Sequence, residues 1–194
     1  MQDVFALDRF VIRRKVFKLF GGAFHVYDEA ENLVGYSKQK AFKLKEDIRL
    51  FRDESMSEPL LVIGARNVID FSAAYDVIDP RTNEHAGTLR RKGLKSMLRD
   101  SWEILDANQT LIGKVEEDST MKALVRRVGD VGWLFPQAFH GDVGGQTVFA
   151  AKQRFNPFVA KIDVDFSPDT GRLLDRRLGL GAAVLLAAIE GRQQ

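Results

Sequence analysis

The stretch Leu178–Ile189 reads LGLGAAVLLAAI and carries no charged side chain. A helix of this length spans about 18 Å, which is too short to cross a hydrocarbon core of about 30 Å. A helix that is apolar on every side must be surrounded by protein or lipid. We therefore expect a buried core helix over about 176–190, capped by Asp175, in which Gly179 and Gly181 let strands approach closely. Membrane-surface contact and an oligomer interface are the alternatives that this pattern leaves open.

Upstream of this stretch the sequence repeats a short unit: an aromatic residue, any residue, a β-branched residue, an apolar residue and an aspartate. The three copies are FHVYD at 24–28, YDVID at 75–79 and WEILD at 102–106. The glycines that follow each aspartate by seven or eight residues are Gly35, Gly87 and Gly113. Turn-forming residues lie between, so each unit predicts a β-hairpin. We expect the aspartate to accept hydrogen bonds from the backbone of its turn.

Two weaker hairpins are predicted at 48–63 and 139–149, and strict alternation at 159–166 predicts a half-buried strand. At least five hairpins correspond to ten or more strands. Such a succession favours an antiparallel meander or barrel, because closure removes the exposed edges of the sheet. A β-barrel around the apolar helix would satisfy both the strands and the helix.

The composition fits one globular domain over residues 1–194, with 45% hydrophobic and 29% charged side chains. Lys and Arg number 29 and Asp and Glu 27, so the formal net charge of +2 argues against a nucleic-acid binder. The absence of cysteine excludes disulfides, thiol catalysis and cysteine-ligated metals. The first residues lack the basic start and apolar stretch of a signal peptide, so a cytoplasmic location is expected.

Catalytic and metal-binding patterns are missing from the sequence. The three histidines are His25, His85 and His140. None of them has a ligand partner at helical spacing, and no nucleophile-elbow, P-loop or zincin motif occurs. We predict no metal, no cofactor and no enzymatic activity.

One basic segment is the candidate ligand-binding site, for anionic lipid or phosphate. Its residues are Arg90, Arg91, Lys92, Lys95 and Arg99. In an extended strand Arg90 and Lys92 share a face opposite Arg91. Anionic membranes attract such segments by about 1 kcal/mol per Lys or Arg near the surface. Further basic clusters occur at 13–18, 38–45 and 126–127. A solubilising surface with intermixed acids is the alternative.

Several segments resemble the LURP-one-related family, within the superfamily of tubby C-terminal domains and phospholipid scramblases. They are KLKEDI at 43–48, YDV at 75–77, LRRKGLKS at 89–96, RDSWEI at 99–104 and LDRRL at 174–178, followed by the apolar helix. The resemblance extends from Phe10 to Gly191. It implies a closed barrel of about twelve antiparallel strands around a central hydrophobic C-terminal helix. Tubby-like domains bind phosphoinositide head groups through basic residues, and scramblases move lipids between leaflets. The resemblance to scramblases also implies a calcium segment around 163–175, where Asp163 and Asp165 would be the first and third ligands. Pro168 and Leu174 replace the glycine and the closing carboxylate that such a loop needs, so no calcium site is expected.

These observations together lead to the hypothesis of a non-enzymatic cytoplasmic β-barrel that reads anionic membrane surfaces or phosphoinositide-like ligands. Association with the membrane would be peripheral. A scaffold for a protein partner and scramblase-like lipid translocation are the alternatives. The sequence indicates neither the physiological ligand nor an oligomeric state.

Overall fold

Twelve antiparallel strands close into one barrel in a computed structural model that describes residues 3–15, 22–39, 47–66, 74–91, 101–118, 137–154 and 159–190. The strands are β1 (Arg9–Lys15), β2 (Gly22–Tyr27), β3 (Leu33–Gln39), β4 (Ile48–Phe51), β5 (Pro59–Ala65), β6 (Ala74–Asp79), β7 (Glu84–Arg91), β8 (Ser101–Leu105), β9 (Leu111–Glu117), β10 (Ala138–Val143), β11 (Gln146–Arg154) and β12 (Val159–Asp165). A short 3-10 turn (Val4–Ala6) precedes them and helix α1 (Arg176–Glu190) follows.

Each strand pairs with the next along the chain, and β1 pairs with β12 to close the barrel. The register of the closing pair aligns Arg9 with Asp165 and Lys15 with Val159. The predicted fold class, a closed antiparallel barrel of about twelve strands with a hydrophobic C-terminal helix, is confirmed. Each of the described strands is therefore paired on both sides, which covers the edges of the sheet.

The predicted hairpin turns form as expected, with an aspartate organising each one. The Asp28 carboxylate accepts the Asn32 backbone N–H at 2.8 Å, and Asp79 accepts that of Arg81 at 3.0 Å. Asp106 accepts the backbone N–H groups of two turn residues, both at 2.9 Å. Because these carboxylates satisfy turn donors, they are structural in all three repeats.

Helix α1 is enclosed by the barrel. Its residues from Leu178 to Ala188, apart from the glycines, are all 5% exposed or less and belong to the same buried cluster as the strand residues. Asp175 caps the helix as predicted, since its carboxylate accepts the Arg177 backbone N–H at 2.8 Å. The core helix that the apolar stretch predicts is therefore confirmed.

Two glycines are required where strand and helix come closest. A Cβ at Gly181 would lie 2.9 Å from Val77 of β6, so a larger residue would push helix and strand apart. At Gly87 of β7 a Cβ would lie 2.6 Å from Leu178, and φ is 149° there. Gly87 also pairs with Val77 beside a register shift, so the backbone is irregular where it meets the helix.

The two ends of the barrel are defined by the direction of the strands and of α1. At the first end α1 begins and five hairpin turns connect neighbouring strands, all of them within the described residues. We call this the helix-start end. At the other end, the helix-finish end, the connections run mainly through residues that the structure does not describe.

We predict that Leu185→Asp abolishes soluble folding. Leu185 is 1% exposed inside the barrel. An unpaired charge buried there costs several kcal/mol against a total stability of about 5–15 kcal/mol. The matched control is Leu111→Asp, because Leu111 is 55% exposed at the start of β9. Circular dichroism melting checks both variants, and an unchanged melting temperature for Leu185→Asp would place the helix outside the core.

Candidate anion-binding end of the barrel

The predicted basic site begins at the last two residues of β7. Arg90 and Arg91 stand there, at the helix-finish end of the barrel. Lys92, Lys95 and Arg99 lie outside the described residues. The structure therefore places two of the five predicted residues side by side on one strand.

Arg90 points outward and is held by a carboxylate on the neighbouring strand. Its Nε donates to Glu103 Oε2 at 2.7 Å, and its Nη2 lies 2.7 Å from the same oxygen. The two residues are directly opposite in the register of β7 and β8. The Arg90 side chain is still 42% exposed, so part of the guanidinium faces solvent.

Arg91 lies on the other side of the strand, as alternation predicts. It shares that side with Leu89, which is 1% exposed, and pairs across with Trp102, which is 4% exposed. These buried neighbours face the barrel interior, so Arg91 stands at its inner edge. Arg91 itself is exposed at the strand end.

Charged residues are unevenly divided among the segments of sequence that connect the strands. The turns of the helix-start end hold mostly acids, and these are Asp28, Glu29, Glu31, Asp53, Glu54, Glu58 and Asp106. The bases in the same turns are Arg52 and Arg81. The segments that connect strands at the helix-finish end lie outside the described residues, and their sequence holds Lys18, Lys40, Lys43, Lys45, Lys92, Lys95, Arg99, Lys122, Arg126 and Arg127. The acids in those segments are Glu46, Asp70, Asp100 and Asp130. The near-neutral total thus conceals acidic turns at the helix-start end and basic stretches of sequence outside the described residues.

A buried ion pair closes the helix-start end. Arg176 and Asp169 side chains are 6% and 0% exposed, with Nη1 and Oδ2 2.7 Å apart. Asp169 also accepts the backbone N–H groups of Leu173 and Leu174 at 2.8 and 3.1 Å. Arg176 reaches Asp8 at 3.0 Å, before the first strand. The pair therefore ties the start of the helix to the start of the barrel.

A polar network covers the outer face of β6 and β7. Asp76 accepts the Arg66 Nε–H at 2.6 Å and the Thr88 hydroxyl at 2.7 Å, and lies 3.1 Å from His85 Nε2. Gln109 donates to the Thr88 hydroxyl at 3.0 Å. Burial would raise the pKa of Asp76, but the hydrogen bonds from Arg66 and Thr88 outweigh it and leave the pKa below the usual 3.8.

This network is unsuited to nucleophilic catalysis. Thr88 Oγ1 and Asp76 Oδ1 both approach the same ring nitrogen of His85, Nε2, at 3.3 and 3.1 Å. A catalytic triad needs the carboxylate on one imidazole nitrogen and the hydroxyl on the other. Thr88 is also 1% exposed, so its hydroxyl cannot meet a substrate. The arrangement stabilises the wall of the barrel.

The two aspartates weighed as calcium ligands are occupied by arginines. Asp163 accepts two hydrogen bonds from Arg154, at 2.6 and 2.7 Å, and Asp165 lies 3.4 Å from Arg9. Both belong to β12 rather than to a loop. Within the described ranges, no group of three His, Asp or Glu side chains could hold a metal ion.

Sequence reasoning missed a residue that the structure places inside the barrel. Arg14 was grouped with Arg13 as one of several basic clusters, but the two point in opposite directions. Arg13 lies over the outer ring of Tyr27 at 4.3 Å, whereas Arg14 lies over the buried ring of Phe24 at 5.4 Å. The alternation of β1 could have predicted this inward position, because Arg14 follows the buried residues Phe10 and Ile12 at intervals of two.

Comparison with known proteins supports the fold. No protein-family model matches the chain, and no curated protein matches it. The chain is similar to a protein from Arabidopsis thaliana solved by X-ray crystallography, with a TM-score of 0.50 and 12% identity. The match covers 94% of this chain and 91% of that chain. At that identity the likeness establishes the fold alone, and the family resemblance stays a prediction.

The length of the helix bears on the expected relation to membranes. Among the described residues, no helix combines the length and apolar character needed to span a bilayer.

We predict that Asp76→Asn lowers stability by about 1–3 kcal/mol at pH 7, because charge-assisted hydrogen bonds are lost. The folded-state pKa of Asp76 lies below its ordinary value, so its stabilisation is present above about pH 4 and is lost as the pH falls through the folded-state pKa. Urea unfolding should therefore show that the difference in free energy of unfolding between wild type and Asp76→Asn becomes smaller in acid.

The control for this prediction is Asp163→Asn, which breaks an exposed pair with Arg154. We expect a change of at most about 1 kcal/mol there. A difference between wild type and Asp76→Asn that persists unchanged in acid would contradict the assigned role of the Asp76 charge.

Proposed function

We propose that this protein is a non-enzymatic binding module that reads anionic lipid surfaces or phosphate-bearing ligands with the helix-finish end of its barrel. The single observation behind this proposal is the uneven division of charge between the acidic helix-start turns and the basic connecting segments of the sequence. The predicted site begins at the helix-finish end with Arg90 and Arg91, and its other residues follow them in the sequence.

The acidic turns at the helix-start end and the arginines at the end of β7 favour one orientation toward an anionic surface. Each Lys or Arg near such a surface contributes about 1 kcal/mol, and the attraction decays over a Debye length of about 10 Å at 0.1 M salt. The acidic turns at the other end are repelled by the same surface. The small net charge of +2 therefore does not weaken the proposal, since the field at each end depends on local charge.

The resemblance to LURP-one-related and tubby-like proteins supports the same function, because tubby-like domains bind phosphoinositide head groups. The Arabidopsis structure is compatible with this resemblance through its fold. The proposed location is cytoplasmic, with peripheral attachment to membranes. Attachment through surface charge needs no membrane-spanning helix.

The experiment that tests this proposal is co-flotation of the purified protein with phosphatidylcholine vesicles, with and without phosphatidylinositol phosphate, at low and high salt. We expect binding only to the anionic vesicles, and its loss at high salt. The triple variant Arg90→Glu, Lys92→Glu, Lys95→Glu should bind at least about tenfold more weakly, because three attractive charges of about 1 kcal/mol each become repulsive.

The matched control reverses three exposed cations outside the predicted basic site: Arg9→Glu, Lys114→Glu and Arg172→Glu. Their side chains are 54%, 53% and 52% exposed. The control variant has the same net charge as the test variant. If the predicted site binds the vesicles, the control variant binds them more strongly than the test variant does. Equal losses would indicate bulk charge, and absence of wild-type binding to every vesicle would refute the proposal and favour a protein-partner scaffold.

A further inference from the structure

One row of outward residues runs half-way round the wall of the barrel. Each residue is paired in the register with the next, from β11 through β12, β1, β2 and β3 to β4. The members of this outer row are Arg154, Lys161, Arg13, His25, Tyr36 and Phe51. Buried residues alternate with them along the strands, which assigns the row to the outer face. Three basic residues are followed by three rings, so the row has a charged half and an aromatic half.

Lys161 occupies a position at which the barrel gains nothing from a positive charge. It lies directly opposite Arg154 on one side and Arg13 on the other. Like charges in direct cross-strand pairs are destabilising. The two arginines are held by Asp163 and Glu31, whereas Lys161 makes no side-chain hydrogen bond or ion pair in the described part of the chain. The fold therefore gives no reason for a cation at this position.

Three further cations beside the outer row are also without a partner. Lys152, Lys38 and Arg49 are exposed on the outer faces of β11, β3 and β4. Their side chains make no hydrogen bond or ion pair among the residues that the structure describes. Lys38 follows Tyr36 by two residues and Arg49 precedes Phe51 by two, so both lie beside the aromatic half, while Lys152 lies beside the charged half. We call the outer row together with these three residues the lateral surface.

The opposite side of the barrel treats its outward cations differently. Arg66, which directly follows β5, Arg90 of β7 and Lys114 of β9 each have a carboxylate oxygen within 2.7 Å. These ion pairs lie within the wall and account for the three charges. Among the described strands, the outward cations without a partner are thus confined to the side formed by β11, β12, β1, β2, β3 and β4.

The rings of the aromatic half pack against one another. The His25 ring meets Tyr36 edge-on, with centroids 5.1 Å apart and planes at 61°, and it stacks on Tyr27 at 6.2 Å. The Arg13 guanidinium covers a face of Tyr27 at 4.3 Å. Single-stranded nucleic acids bind by stacking bases on open ring faces, and these contacts occupy such faces. The arrangement therefore favours apolar side chains over nucleobases as the contacts of this half.

The breadth of the outer row determines the shape of a partner. Its six strands are half of the twelve that close the barrel, so a flat membrane cannot touch both halves of the row at once. Neighbouring strands lie about 4.8 Å apart, so the row is about 24 Å long. An extended polypeptide advances about 3.3 Å per residue, so about eight residues reach from one end to the other. A flexible chain can follow this curved path.

We infer that the lateral surface docks an extended segment of a partner protein, with carboxylates in one half of the segment and apolar side chains in the other. The carboxylates bind Lys161 and Lys152, and the apolar side chains pack against Tyr36 and Phe51. Complementary charge fixes the direction in which the segment lies and speeds its encounter with the surface. The lateral surface shares no residue with the predicted site that begins at Arg90, so this inference goes beyond the proposed function, and either can fail without the other.

The test measures the fluorescence anisotropy of a labelled peptide in which four glutamates are followed by four leucines, on addition of the purified protein. A second peptide carries glutamine in place of each glutamate, and a third probe is a labelled oligouridylate of equal length. The test variants are Lys161→Glu and Lys38→Glu. The matched control is Lys114→Glu, which reverses one cation that is 53% exposed on the opposite side of the barrel.

We expect wild type to bind the glutamate peptide about tenfold or more tightly than the glutamine peptide, because several exposed charge pairs act together. Each test variant should bind the glutamate peptide about fivefold or more weakly, since an attraction becomes a repulsion, and Lys114→Glu should stay within about twofold of wild type. Lys161→Glu should also keep or raise the melting temperature, because a carboxylate at this position faces two arginines.

Three results would overturn the inference: no binding of the glutamate peptide by wild type, equal binding of the two peptides, or equal losses in the test and control variants. Tighter binding of the oligouridylate than of the glutamate peptide would overturn it in favour of nucleic acid. A lower melting temperature of Lys161→Glu with unchanged binding would assign Lys161 to the fold and overturn its place in the site. Failure of vesicle flotation together with binding of the glutamate peptide would refute the proposed function and support the lateral surface.

Discussion

The apolar surface of helix α1 must be kept from water on every side, and the architecture follows from that constraint. A single sheet can cover one side of such a helix, whereas a closed barrel covers all of them. The twelve strands therefore curve round the helix, and small residues such as Gly181 and Gly87 are used where wall and helix meet. The same closure pairs each described strand on both sides, and paired strands cannot add the strand of another chain at their edges.

Charged side chains are accommodated differently at the two ends of the barrel. At the helix-start end, Arg176 and Asp169 satisfy each other and the surrounding backbone, which makes that end a closed structural joint. At the helix-finish end, Arg14 lies over the buried ring of Phe24, and Arg91 stands opposite Trp102 at the inner edge of the wall. The helix-start end is thus held by a buried ion pair, whereas the described arginines of the helix-finish end lie near the surface of the barrel.

Local patterns in the sequence were sufficient to predict the helix, its Asp175 cap and the aspartate turns, because each of these features depends on residues close together in the chain. Closure between β1 and β12 depends on residues far apart in the sequence: the hairpin count favoured a meander or a barrel, and the resemblance implied a closed barrel of about twelve strands. The basic site was located from charge clustering, which does not distinguish the two faces of a strand. Arg13 and Arg14 are adjacent in the sequence, yet one serves the outer wall and the other the interior. The sequence patterns did not predict the Asp169–Arg176 ion pair, because it forms only when the turn after β12 directs the helix into the barrel.

The pairing of the first strand with the last imposes an order on biosynthesis. β1 leaves the ribosome early, but its partner β12 and the helix that fills the interior are made after all the other strands. Until they emerge, the inward faces of the growing sheet have nothing to cover them, and long-range pairing of this kind is slow to form. A ribosome that stalls before Arg176 would release a chain with its wall complete and its core missing. Such a chain would depend on chaperones, because the fifteen residues of the helix supply the core that the preceding strands need in order to fold.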